Sequence, residues 1–176
     1  MARVWVPYAA ISPHLKRAVL VAEDINFFSH RGFEMAEIQN VLERAIEEGE
    51  LRRGASTISQ QLVKNLWLSP SRSPLRKLEE AILTWQLERA LDKRRILELY
   101  LNVVEFGRGL YGAEAASRRY FGKAAADLTP DEAAQLAASL PNPAFWHPGS
   151  PSRAYLRHVE RVQRRMARAE FLWKHI

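Results

Sequence analysis

Apolar positions recur along this chain at helical spacing rather than in strand-like alternation. Leu15, Ala18, Val19 and Ala22 follow Ser12-Pro13, a favourable cap and first-turn pair, and predict a helix from residue 13. Ile38, Val41, Leu42, Ala45 and Ile46 predict a second helix that stops at Gly49. Thr57 and Gln60 spell a capping box ahead of Leu62, Val63 and Leu66, for a helix reaching about Trp67. Ser73-Pro74 opens a helix carrying Leu75, Leu78, Ile82 and Trp85, and another runs from about Lys93 to Leu101. A short helix is expected from Ala113 to Phe121. Thr129-Pro130-Asp131-Glu132 is a second capping box, with its helix ending before Pro141. The last helix starts near Ser152 on the apolar spine Tyr155, Val159, Val162, Met166, Ala169 and Trp173. Val4 to Tyr8 is the best strand candidate, and it contains Pro7. The pattern predicts a mainly α fold in a single domain over residues 1–176, with loops at Glu48–Ser56 and Pro141–Pro151.

Composition narrows the picture modestly. The chain has 176 residues, 47% apolar and 26% charged, enough for a real core. Lysines and arginines number 26 against 20 acids, a net +6, which suits an anionic partner without choosing one. The absence of cysteine removes a thiol nucleophile and Cys-ligated zinc. No run approaches 18 apolar residues, so a membrane anchor is not expected within this chain.

Functional candidates stand where the sequence contradicts its own local structure. Glu23 and Asp24 fall at the C-terminal end of the first helix, where the dipole disfavours anions and biases a carboxyl toward a raised pKa. That suits a general base, although an acid pair alone also fits a solvated helix end. Arg76 and Lys77 lie in a helix's first turn, where cations are disfavoured, with Glu80 on the same face. They read as a phosphate site or as a surface ion pair. Ser56, Gln60, Gln61, Lys64 and Asn65 form a dense polar set that fits substrate binding or simple solvation. Gly107, Gly109 and Gly112 spell GxGxxG without a βαβ context, so they point to close packing or positive-φ turns rather than a dinucleotide site. The five histidines lack metal spacing. Arg157, Arg161, Arg164 and Arg168 form a stripe opposite the last helix's apolar spine. It fits an anionic membrane surface better than nucleic acid, because no aromatic residues interleave.

In order along the chain, these segments resemble one family. Glu23 to Gly32 looks like EDxxFxxHxG, and Gly54 to Asn65 looks like GxSTIxQQxxKN. Arg76-Lys77-Leu78-Glu79-Glu80 looks like RKxxE, and Lys93 to Asn102 looks like KxxILExYLN. The glycine set and Tyr120-Phe121-Gly122-Lys123 complete the order. This is the pattern of the peptidoglycan glycosyltransferases of family 51, covering roughly residues 4 to 150. Glu34 departs from it, since the family has Asp there. With no SxxK serine motif and no room for a transpeptidase, the chain looks like the monofunctional biosynthetic type.

The resemblance implies a lysozyme-like, two-lobed helical fold with a cleft, and a segment of about Phe33 to Arg53 lying mobile over it. It implies polymerisation of lipid II into β-1,4 glycan with inversion and loss of a polyprenyl diphosphate. Glu23 is then the general base, and Glu80 acts catalytically by placing the diphosphate. Asp24, Ser56, Gln60, Gln61, Lys64, Arg72 and Lys77 bind substrate. No cofactor is required, and Mg or Mn is expected at most to stimulate, because Asp24 and Glu80 are too few for a metal cage. The implied partners are lipid II, the growing glycan chain, an anionic membrane surface and cell-wall synthesis machinery, not nucleic acid. The implied location is the outer face of a bacterial cytoplasmic membrane, with the anchor outside this chain. Two rivals follow from the same residues. One is a peptidoglycan-cleaving, lysozyme-like enzyme, which has no use for the diphosphate cations. The other is a non-catalytic basic module, which leaves Glu23 and Glu80 unexplained.

Overall fold

The computed structural model describes residues 4–32, 56–68 and 74–176. The predicted helix over 38–46, the covering segment 33–53 and Arg72 lie outside them. Seven helices appear among the described residues: α1 Pro13–Glu23, α2 Ile58–Trp67, α3 Pro74–Ala90, α4 Lys93–Val103, α5 Ala113–Phe121, α6 Pro130–Ser139 and α7 Arg153–Arg168. One two-stranded antiparallel hairpin, β1 Glu105–Gly107 with β2 Leu110–Tyr111, stands between α4 and α5. The mainly α reading holds.

Helix α1 is the centre of the core. Leu15, Ala18, Val19, Leu20 and Val21 are all buried, so it is enclosed on most sides. It packs on α6 and α7, which also pack on each other. The α7 spine of Tyr155, Val159, Val162 and Met166 is buried as its spacing predicts. Burying each such side chain stabilises by about 1.5–3 kcal/mol. A second group forms where α2 packs on α3 and α4. Both predicted capping boxes are made, at Thr57/Gln60 and Thr129/Glu132.

Three expectations are corrected. Val4 to Tyr8 is not a strand. Asn102 does a strand neighbour's work there, accepting from the Val6 N–H at 2.9 Å and donating to the Val6 carbonyl at 2.9 Å. The last helix ends at Arg168, and Glu170–Lys174 tightens into a 3₁₀ turn that buries Leu172 and leaves Trp173 39% exposed. On α3, Ile82 and Trp85 face solvent at 49% and 53% exposure, while Glu80, Thr84 and Leu87 turn inward. Hydrophobic spacing misplaced Ile82 and Trp85, because Glu80 and Thr84 take inner positions beside Leu87.

The GxGxxG glycines serve the hairpin. Gly109 has φ +69° in its turn. Gly112 has φ +89°, and a β-carbon there would lie 2.8 Å from the Asn102 carbonyl oxygen.

Candidate active site

The Asp24 N–H caps α1 by donating to the Leu20 carbonyl at 2.9 Å, and the chain then turns sharply through Asn26–Gly32. Asp24 holds that turn together. Gly32 N–H donates to His30 Nδ1 at 3.1 Å, so the ring's other nitrogen carries the proton toward Asp24. His30 Nε2 lies 2.9 and 3.1 Å from the two Asp24 oxygens. The Ile58 N–H donates to Asp24 Oδ2 at 3.0 Å, and Thr57 Oγ1 donates to the Gly32 carbonyl at 2.7 Å. The start of α2 is thereby stapled to the end of α1. Gly32 has φ +86°, and an added β-carbon would lie 2.9 Å from Thr84 Cγ2 and 3.1 Å from Glu88 Cγ. Glycine is therefore needed for the turn to lie against α3.

Glu23 projects from the last position of α1. Gln61 Nε2, one turn into α2, donates to Glu23 Oε2 at 2.8 Å and to the Ser56 carbonyl at 3.3 Å. Gln61 Oε1 accepts from the Tyr100 hydroxyl of α4 at 2.9 Å. Burial pushes the Glu23 carboxyl above the ordinary carboxylate range. The Gln61 bond opposes the rise, the neighbouring Asp24 charge adds to it, and the charges of Arg165 and Lys64 oppose it. Among the described residues no cation bonds Glu23 directly, a setting that suits a general base.

Glu80 forms a second, cationic centre. On the inner face of α3 it is 2% exposed. Arg76 donates to its Oε2 at 3.0 Å, and Lys77 bonds its Oε1. The predicted shared face of Arg76, Lys77 and Glu80 is what the helix presents. Glu88, two turns further along, bonds Ser59 of α2 and accepts from Lys93 at 2.7 Å. The Glu88 carboxylate thus joins α3 to both its neighbours.

The other predicted residues divide in two. Gln60 closes the α2 cap by accepting from the Thr57 N–H at 2.9 Å. Ser56 and Lys64 are exposed. Among the described residues no group of three metal-ligating side chains converges. Asp24 accepts from His30 and Ile58, and Glu80 from Arg76 and Lys77.

The family model for transglycosylase matches residues 1–167. The chain belongs to the transglycosylase family. It is 50% identical over 166 residues to the biosynthetic peptidoglycan transglycosylase of Methylobacillus flagellatus, covering 94% of this chain and 72% of that one. The protein of the same name from Thiobacillus denitrificans is 52% identical over 162 residues, covering 92% and 70%. That of Azoarcus sp. is 54% identical over 166 residues, covering 94% and 71%.

In this transglycosylase, sequence reasoning missed two residues that bear on Glu23. Tyr100 stood only as one position of the Lys93 to Asn102 motif; it is 0% exposed, and its hydroxyl donates to Gln61. A buried hydroxyl requires a partner, which was the available signal. Arg165 adjoins the α7 spine at Met166 and lies off the predicted arginine stripe. Its influence on Glu23 follows from α7 packing on α1, which spacing within one helix does not reveal.

Proposed function

We propose that this chain is a peptidoglycan glycosyltransferase in which Glu23 is the general base for lengthening a β-1,4 glycan from lipid II. One observation carries the reading: a desolvated carboxylate, held by a neutral amide and contacted by no described cation, at the end of a core helix. Glu23 takes the proton from the 4-hydroxyl of the acceptor's N-acetylglucosamine. The resulting oxygen attacks the anomeric carbon of the donor's N-acetylmuramic acid. The bond to the α-linked diphosphate breaks, the leaving oxygen keeps the electron pair, and the new bond is β. Negative charge grows on the polyprenyl diphosphate, so cations beside it stabilise the transition state. Lys64, Arg72 and Lys77 fill that role, and Glu80 sets the position of Lys77 and Arg76. Ser56 meets sugar or phosphate. Gln60, Gln61 and Asp24 contribute at one remove, by shaping α2 and the turn that follow Glu23 and pack against it.

No resident metal enters this scheme. Stimulation by Mg or Mn is assigned to the substrate's own diphosphate, which supplies the hard oxygen ligands such ions prefer. The enzyme acts on the extracytoplasmic side, where the wall is built. No helix among the described residues is long and apolar enough to cross a membrane. Leu66 and Trp67 on α2, with Ile82 and Trp85 on α3, are exposed and suit contact with the lipid end of the substrate. The α7 arginines suit anionic headgroups. The cleaving reading is not favoured, since it leaves the cationic centre around Glu80 without a purpose.

The test is polymerisation of labelled lipid II in detergent by wild type and by Glu23→Gln. Polymer from wild type alone, with the variant folded, supports reaction and base together. Polymer from both overturns the assignment of Glu23. Turbidity loss on purified cell walls without polymer favours cleavage.

A further inference from the structure

We propose that Tyr100 is a positioning residue for the reaction, locking the Gln61 carboxamide so that Glu23 Oε2 is the anchored oxygen and Oε1 the one that takes the acceptor's proton. The inference rests on Glu23 being the base. It starts from donor and acceptor arithmetic. An ionised carboxylate only accepts, and so does a backbone carbonyl. Both protons of the Gln61 amide are spent on such groups, Glu23 Oε2 at 2.8 Å and the Ser56 carbonyl at 3.3 Å. The amide oxygen then needs a donor of its own. Tyr100 is that donor, at 2.9 Å. Its hydroxyl keeps its proton, because burial foremost, and then the Glu23 and Asp24 charges, raise it well above the ordinary phenol range. The chain Tyr100 to Gln61 to Glu23 therefore runs donor to acceptor in one direction.

Reversing the amide would set its oxygen against two acceptors. That becomes tolerable only when Glu23 is protonated and donates to Gln61. Tyr100 thus favours the ionised state of Glu23 by holding the orientation that needs it. Without the hydroxyl, the buried amide oxygen lacks its donor and the reversed orientation gains ground. The groups acting on Glu23 from the packed elements are Asp24 in its own turn, Gln61 and Lys64 on α2, Tyr100 on α4 and Arg165 on α7. Tyr100 differs from the charged members of this set in being neutral and in bonding Gln61 rather than the carboxyl, so it acts on Glu23 through that amide.

A double-mutant cycle with Tyr100→Phe, Gln61→Met and the pair tests this, with Glu23→Gln alongside. Lipid II polymerisation is followed across pH in detergent, and thermal unfolding is followed for every variant. Tyr100→Phe should lower kcat about tenfold at neutral pH, the range of a lost orienting bond. It should move the acidic limb of the profile to higher pH and leave KM within about twofold. Adding Tyr100→Phe to Gln61→Met should change neither rate nor limb. A wild-type pH profile for folded Tyr100→Phe overturns the proposal, as do losses that simply add in the double variant. Should Tyr100→Phe not fold, Gln61→Met alone must move the acidic limb upward, and an unmoved limb overturns the proposal equally. If Glu23→Gln polymerises as wild type does, it is the base assignment that fails, a separate outcome.

Discussion

Glu23 ends α1 with one neutral amide 2.8 Å from an oxygen, whereas Glu80 lies inside α3 with a guanidinium 3.0 Å from one oxygen and an ammonium on the other. Glu80 is buried and Glu23 is half-buried at the end of its helix. The difference lies in what replaces the water. Glu23 receives one weak donor and keeps an oxygen with capacity to take a proton. Glu80 has both oxygens occupied by cations and serves as a fixed counter-charge that aims them. In the proposed reaction the first setting suits a base and the second an anchor, from the same residue type.

The sharpest way to break this contrast is to neutralise each acid in turn. Glu23→Gln should cost about 10²- to 10⁴-fold in polymerisation, the range of a lost general base. It should also stabilise the protein at neutral pH. The folded-state pKa of Glu23 lies above its unfolded value, so folding favours its protonated form. The stability it costs therefore appears as pH rises through the unfolded value and is complete above the folded one. A glutamine never ionises, so the thermal midpoint of Glu23→Gln should exceed wild type near pH 7 and converge with it on acidification. Thermal unfolding at several pH values measures this.

Glu80→Gln should behave in the opposite way. It leaves Arg76 and Lys77 facing a neutral amide. Removing one partner of a buried pair typically costs about 3–5 kcal/mol, but the Lys77 side chain is 41% exposed, so about 2 kcal/mol is expected. Denaturant unfolding should show the loss at neutral pH. Polymerisation should fall through a weaker hold on the diphosphate, raising KM along with any loss in kcat.

Gly32 joins the two regions, because its turn carries the Glu23 end of the site against Thr84 and Glu88 of α3. Gly32→Ala forces a side chain into a left-handed backbone and a 2.9 Å contact with Thr84 Cγ2. The backbone term alone is about 1–2 kcal/mol. A loss of about 2 kcal/mol in unfolding free energy is expected, with activity per folded molecule reduced because the turn must shift. Unchanged stability would mean the two regions are not rigidly joined through this residue.

These cases also mark how far the sequence carried. The capping boxes at Thr57 and Thr129 and the acid pair ending α1 were legible, because their signals are local and survive without tertiary context. The shared face of Arg76, Lys77 and Glu80 was legible for the same reason. The orientation of α3 was not, since Ile82 and Trp85 carry the apolar signal while Glu80 and Thr84 take the inner face. The Asn102 clamp on Val6 and the Tyr100 link to Gln61 were also hidden, because each spans residues far apart in sequence and looks like ordinary core composition. Polar contacts between helices, rather than apolar periodicity, arrange this site.

The mildest probe of the contrast is Arg165, whose charge reaches Glu23 from α7 without a direct bond. A cation favours the ionised carboxylate, so Arg165 holds the Glu23 pKa down against burial, and Arg165→Gln releases it upward. Because the ionised form is the active one, the acidic limb of polymerisation should move to higher pH. Activity near neutral pH should fall by less than about twofold, since an unbonded charge partner acts weakly across solvent and is screened by salt. Salt separates this from a structural effect. Raising ionic strength should move the wild-type limb toward that of Arg165→Gln while leaving the variant nearly still. A salt response of equal size in both proteins would remove Arg165 from the set of groups that tune the base. Glu23 would then owe its ionisation to Gln61 and Lys64, with Tyr100 acting through the amide.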